Sequence, residues 1–157
     1  MPKISKPAPM AGVRASATWS DGERFVCEGG SGHALVLDAE RHRNSGPGPM
    51  EMVLTSLCAC SATDVVLILR KARQELQGLE VRAEGKRAAD PPQVYTHIHM
   101  TYQLTGANLD PAAVARAVSL SQSKYCSVLA MLSRTAAISH EIDIQPAAGA
   151  SAAGRES

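Results

Sequence analysis

The segment 46–71, GPGPMEMVLTSLCACSATDVVLILRK, constrains the fold of this chain more than any other. Pro49 pre-sets the backbone angle of a first helical position, and the apolar run after it predicts a helix from Met50 to about Leu76. Met52, Val53, Leu54, Leu57 and the run Val65 to Leu69 point around the whole helix rather than along one stripe. A helix apolar on all sides is a central one, covered on several faces. Its length suits a membrane span, but Glu51 and Asp64 interrupt it together with Thr55, Ser56, Ser61 and Thr63. A buried helix of a soluble domain fits better, and no membrane partner is expected.

Around this helix the pattern is that of strands. VRASATW, RFVCE and HALVLD are short runs with partial alternation, separated by the turn signals SDGE and GGSG, and predict an antiparallel meander. After the helix, LEVRAEGKR and VYTHIHMTYQL alternate across AADPPQ and predict a hairpin with one buried face. LDPAAVARAVSLSQSKY then offers Asp110 as a cap and Pro111 at the first turn, with Val114, Ala117, Val118 and Ser121 on one side. A short helix, CSVLAMLSR, and a last strand, AAISHEIDIQ, complete the order βββ, helix, ββ, helix, helix, β. That order is α+β rather than alternating βαβ.

The chain has 157 residues, 45% of them hydrophobic, enough for one domain with a real core, expected over residues 13–145. The stretches 1–12 and 146–157 are rich in Pro, Gly, Ala and Ser and are expected to be flexible tails. A net charge of +1 and 3% aromatics supply neither a basic stripe nor a stacking platform, which argues against nucleic acid as a partner. Four cysteines are too few for a disulfide scaffold, and no apolar leader stretch opens the chain. A reducing cytoplasm is the expected compartment.

Cys58 and Cys60 stand about 200° apart on a helix, so at most one faces any single pocket. Cys60 has the polar side, with Ser56 and Asp64 one turn away and Thr63 beside them. Asp64 either opposes a thiolate at Cys60 or pairs with a basic side chain. Cys126, in SKYCSV, lies where one helix gives way to the next, and backbone N–H groups at a helix start, with Lys124 nearby, favour a thiolate. Cys60 and Cys126 are therefore the candidate redox pair, and Cys58 and Cys27 read as small core residues. No metal site is expected, because CAC lacks the CxxC spacing. His97 and His99 share a strand face that reads as solvated. Arg14 and Arg24, in the first two strands, are candidate partners for a thiolate.

The segments SGHALVLD, GPGPMEMVLTSLCACSATDVVLILRK, VYTHIHMTYQLTG, LSQSKYCSVLAML and ISHEIDI, in this order, resemble the OsmC/Ohr family and within it the YhfA-like branch. The resemblance implies an α+β fold with antiparallel sheets wrapped around a long central helix, in an intertwined homodimer. In the family's peroxidases a cysteine on the central helix attacks an organic hydroperoxide, and a second cysteine near the later helix resolves the sulfenic acid. Matched on motif, these positions are Cys60 and Cys126. The implied function is a thiol-dependent peroxidase with no cofactor, recycled by a small or protein thiol. The peroxidases place a Glu ten residues before the attacking Cys, where this chain has Met50, with Glu51 displaced by one; Glu51, Arg14, Arg24 and Asp64 are the candidate auxiliary residues. Two other readings stay open at the level of sequence: a non-enzymatic dimer that binds a small apolar or thiol-reactive ligand, and a redox sensor.

Overall fold

SDGE and GGSG turn the chain where expected, because each carries a glycine that tolerates a left-handed backbone: Gly22 has φ +52 and Gly32 φ +86. The computed structural model describes residues 12–147, and the tails expected at the two ends fall almost wholly outside them. The chain divides between Met52 and Val53 into two compact units. In the first, β1 (Ala15–Asp21), β2 (Arg24–Gly29) and β3 (Ala34–Asp38) form an antiparallel meander, with Ala17 opposite Cys27 and Phe25 opposite Leu37. Asp38 is the one buried residue described in this unit. Its carboxylate accepts the Ser45 hydroxyl at 2.6 Å and the Glu40 N–H at 2.9 Å, tying down the loop that leads to the helix. Those contacts, the Ser45 hydroxyl foremost, hold its pKa below the ordinary value.

Helix α1 runs over Pro49–Lys71, ending five residues before the point the apolar pattern predicts. It stops because Arg73 adopts φ +55, while the Arg73 N–H bonds the Arg70 carbonyl and the Gln74 N–H bonds the Leu69 carbonyl. This is a Schellman stop with Arg where Gly is usual, so no residue type announces it. Leu76 falls instead in the next strand.

In the second unit α1 is followed by β4 (Glu75–Arg87), β5 (Tyr95–Ala107), α2 (Pro111–Leu120), a π-helical turn (Ser121–Tyr125), α3 (Ser127–Leu132) and β6 (Ala137–Pro146). Asp110 caps α2 by accepting the Ala112 N–H at 3.0 Å, as its type and the following proline predict. The sheet order is β4-β5-β6, with β4 antiparallel to β5 and β6 parallel to it. The expected antiparallel pairing holds within the first sheet and between β4 and β5, and β6 departs from it because the helices between β5 and β6 act as a crossover that returns the chain to the same end.

The core of this unit joins three patterns. Leu57, Ser61, Val65 and Leu69, four residues apart on α1, form one fully buried stripe. Ile98, Met100, Tyr102 and Leu104 alternate inward from β5, and Val114, Ala117 and Val118 come from α2. His97 and His99 lie on the other face of β5, where His99 Nδ1 meets the Ser139 hydroxyl at 2.8 Å, in keeping with a solvated face. Gly106 is required where β5 passes Glu75, because a Cβ there would meet the Glu75 carbonyl oxygen and, at 2.8 Å, Leu109 Cγ. Only one stripe of α1 is fully covered, and Leu67 stays 50% exposed. By length and composition α1 could cross a membrane, a test that core helices of soluble proteins also pass.

Candidate active site

Two buried hydroxyls organise the site. Ser61 interrupts the apolar stripe of α1 and Ser121 follows directly on the apolar side of α2, and a buried hydroxyl in such a place needs a partner. They find each other at 2.9 Å. Ser61 also meets the Tyr102 hydroxyl at 2.7 Å, Gln122 Nε2 reaches the same hydroxyl at 3.4 Å, and Ser121 donates to Asp64 Oδ2 at 3.0 Å. The chain Tyr102, Ser61, Ser121, Asp64 thus crosses from β5 through α1 to the turn after α2. Burial is the first reason that the Tyr102 pKa is raised, so its hydroxyl stays neutral. The signal for this network in the sequence is a serine in the apolar stripe of α1 and another that continues the apolar side of α2.

Asp64 carries the network to the thiols. A carboxylate oxygen of Asp64 and the sulphurs of Cys60 and Cys126 lie within 4.8 Å of one another, with Cys126 buried and the other two half-buried. Cys60 and Asp64 share a face of α1 one turn apart, as their spacing predicts. Cys126 arrives by a less legible route. The turn Ser121–Tyr125 is wound with an extra residue, the Cys126 N–H bonding the Ser121 carbonyl at 2.9 Å, five residues back. That winding leaves Cys126 as the cap of α3, with its sulphur accepting the Leu129 N–H at 3.4 Å.

The expectation that this helix start favours a Cys126 thiolate is overturned. The Leu129 N–H acts in that direction, but burial outweighs it, and a hydrogen bond to Cys60 and the charges of Cys60 and Asp64 add to burial. The Cys126 pKa is pushed up to about 11. The Lys124 ammonium lies over the Tyr125 ring, 5.3 Å from its centroid. Against the ordinary value of 9.0, the thiolate fraction at neutral pH falls about a hundredfold. Because the folded state prefers the neutral thiol, the stability this contributes is complete below pH 9 and is lost as pH rises through about 11. Asp64→Asn removes one of the raising charges and is expected to lower the Cys126 pKa. Alkylation of Cys126 followed by peptide mass across pH measures it, and an unchanged or higher midpoint would remove Asp64 from this account.

The remaining candidates lie elsewhere in the chain. Cys58 is half-buried and its pKa is raised, chiefly by burial, which fits a small core residue. Cys27 sits in β2 opposite Leu35. Glu51 belongs to the first turn of α1, where it accepts the Gly48 N–H at 3.2 Å, and stands nine residues or about 13 Å of helix before Cys60. Arg24 pairs with Asp21 at 2.9 Å, and Arg14 precedes β1, its carbonyl accepting the Gly30 N–H. Both arginines belong to the first unit. Asp64 also lines a cavity of about 310 Å³ with Leu67, Ile68, Lys71, Leu120 and Tyr125.

The family model described as OsmC-like protein matches residues 42–141. Protein YhfA of Escherichia coli K12 is 43% identical over 135 residues, 84% of this chain and 98% of that protein. The crystal structure of a hypothetical protein from Aquifex aeolicus VF5 superposes with a TM-score of 0.79 at 29% identity, over 88% of this chain and 100% of that one. An organic hydroperoxide resistance protein OsmC from Legionella pneumophila shares the fold, with a TM-score of 0.62 at 13% identity over 87% and 99% of the two chains. The chain belongs to the OsmC-like family, on its YhfA-like branch.

Proposed function

We propose that the protein is a cytoplasmic, homodimeric, thiol-dependent peroxidase that reduces organic hydroperoxides through Cys60 and Cys126. The observation that carries this reading is the meeting of the two sulphurs beside Asp64, from positions 66 residues apart in sequence (126 − 60). Family membership and the hydroperoxide-resistance function named for the Legionella protein support it. The raised pKa of Cys126 supports the division of roles, since a buried neutral thiol is a poor first nucleophile and leaves the attack to Cys60.

In this reaction the Cys60 thiolate forms a sulphur–oxygen bond to the peroxide as the O–O bond breaks, and the leaving alkoxide takes up a proton to become the alcohol. The Cys126 thiol then displaces water from the Cys60 sulfenic acid, giving a disulfide. An external thiol returns both sulphurs to the reduced state. The cavity beside Asp64, with Leu67, Ile68 and Leu120 in its wall, is the candidate place for the organic group of the peroxide. The homodimer is supported by the family resemblance and by the apolar side chains α1 leaves uncovered, Leu67 among them.

Treating the reduced protein with cumene hydroperoxide and reading peptide masses tests the proposal. Loss of two hydrogens, mapped to a Cys60–Cys126 bridge, is the expected result. A protein that stays fully reduced under a modest peroxide excess would sink it.

A further inference from the structure

The sequence argues against a metal because no CxxC motif is present, but the ligand set that the fold assembles is not contiguous. Two sulphurs and a carboxylate oxygen, from α1 and from the cap of α3, lie within 4.8 Å of one another. A tetrahedral Zn²⁺, with bonds of about 2.3 Å to sulphur and about 2.0–2.2 Å to oxygen, sets its ligand atoms roughly 3.5–3.8 Å apart. The three side chains need to close by only about 1 Å to reach that geometry. Two thiolates with one carboxylate suit a borderline-soft ion and not Mg²⁺ or Ca²⁺, which prefer all-oxygen shells.

The surroundings already hold the ligands in place. Ser121 donates to Asp64 at 3.0 Å, the kind of outer contact that orients a ligating carboxylate. The Leu129 N–H at 3.4 Å orients the Cys126 sulphur and remains compatible with a thiolate there. Three protein ligands leave a fourth position to water.

We propose that the reduced protein binds one borderline-soft divalent cation, such as Zn²⁺, through Cys60, Asp64 and Cys126, and that metal binding and the Cys60–Cys126 disulfide exclude each other. Binding forms two metal–sulphur bonds and releases the two thiol protons to water, with no change in oxidation state. The disulfide uses the same two sulphurs. The inference goes beyond the peroxidase reading, because it requires the positions of the sulphurs and not their reaction with peroxide.

The test is an anaerobic titration of the reduced full-length protein with Co²⁺, following thiolate-to-cobalt charge-transfer absorption, with Zn²⁺ affinity read by competition against a chromophoric chelator. One equivalent should bind with a two-thiolate band. Cys60→Ser and Cys126→Ser should lose the band, Asp64→Asn should weaken binding by about tenfold or more, and Cys58→Ser and Cys27→Ser should retain it. Protein oxidised beforehand with diamide should bind none. Absence of the band in folded wild-type protein, or a band that survives Cys60→Ser, would overturn the proposal. The two readings fail separately: a chain inert to peroxide can still give the cobalt spectrum, and one that ignores cobalt can still form the disulfide with cumene hydroperoxide.

Discussion

Cys60→Ser is expected to reduce steady-state consumption of an organic hydroperoxide by on the order of 10³-fold or more, because a covalent nucleophile has no substitute in its own site. Cys58, about 200° away around the helix, does not replace it, and Cys58→Ser should turn over nearly as the wild type does. Cys126→Ser should behave differently from both. Its first turnover persists, but the Cys60 sulfenic acid then finds no buried thiol, and excess peroxide carries it to sulfinic and sulfonic acid. A coupled assay with a dithiol reductant, run beside mass spectrometry of the spent enzyme, separates these outcomes. Turnover retained in Cys60→Ser would remove Cys60 from the mechanism, whatever the fate of the disulfide.

The second large effect lies in stability. Tyr102 is fully buried, and its hydroxyl meets Ser61 at 2.7 Å and Gln122 at 3.4 Å, with Met100 Sδ at 3.7 Å. Tyr102→Ala opens a cavity in the centre of the core and takes a partner from Ser61, at a cost of about 3–5 kcal/mol. Tyr102→Phe keeps the ring and removes only the hydroxyl. Ser61 and Ser121 still have each other, so the expected cost is about 1–2 kcal/mol. Urea unfolding of both variants measures the difference. Equal losses would mean that the hydroxyl network and not ring packing dominates, and a loss below about 1 kcal/mol for the alanine variant would contradict the burial argument.

The fold was largely legible because hydrophobic period and turn chemistry agree along most of the chain. Asp110 and Pro111 announce α2, the glycines of SDGE and GGSG place the meander, and alternation marks β5. The misses have local causes. Arg73 in a left-handed conformation ends α1 without a glycine to signal it, and strand direction in β6 follows from the path of the helices, which no property of its own residues encodes. At the site, the one-turn spacing of Cys60 and Asp64 on α1 is legible in the sequence, and the structure brings Cys126 to them. Their electrostatics was not legible. Helix-cap position argued for a Cys126 thiolate, whereas burial, which depends on the whole core, decides the other way.

The parallel pairing of β5 with β6 also sets the order in which the second sheet can be completed. The β4–β5 hairpin closes over a short loop, but β6 must come back to β5 after roughly 40 residues, at registers such as His99 with Ser139. Pairings of that span are among the slow steps of folding, since the loop is closed before its contacts reward it. The sheet is finished by the last described strand, so a nascent chain carries α1 and Cys60 well before the strand that completes the sheet. During that interval the apolar helix travels with an incomplete sheet, the kind of state in which exposed apolar surface and unpaired strand edges invite aggregation.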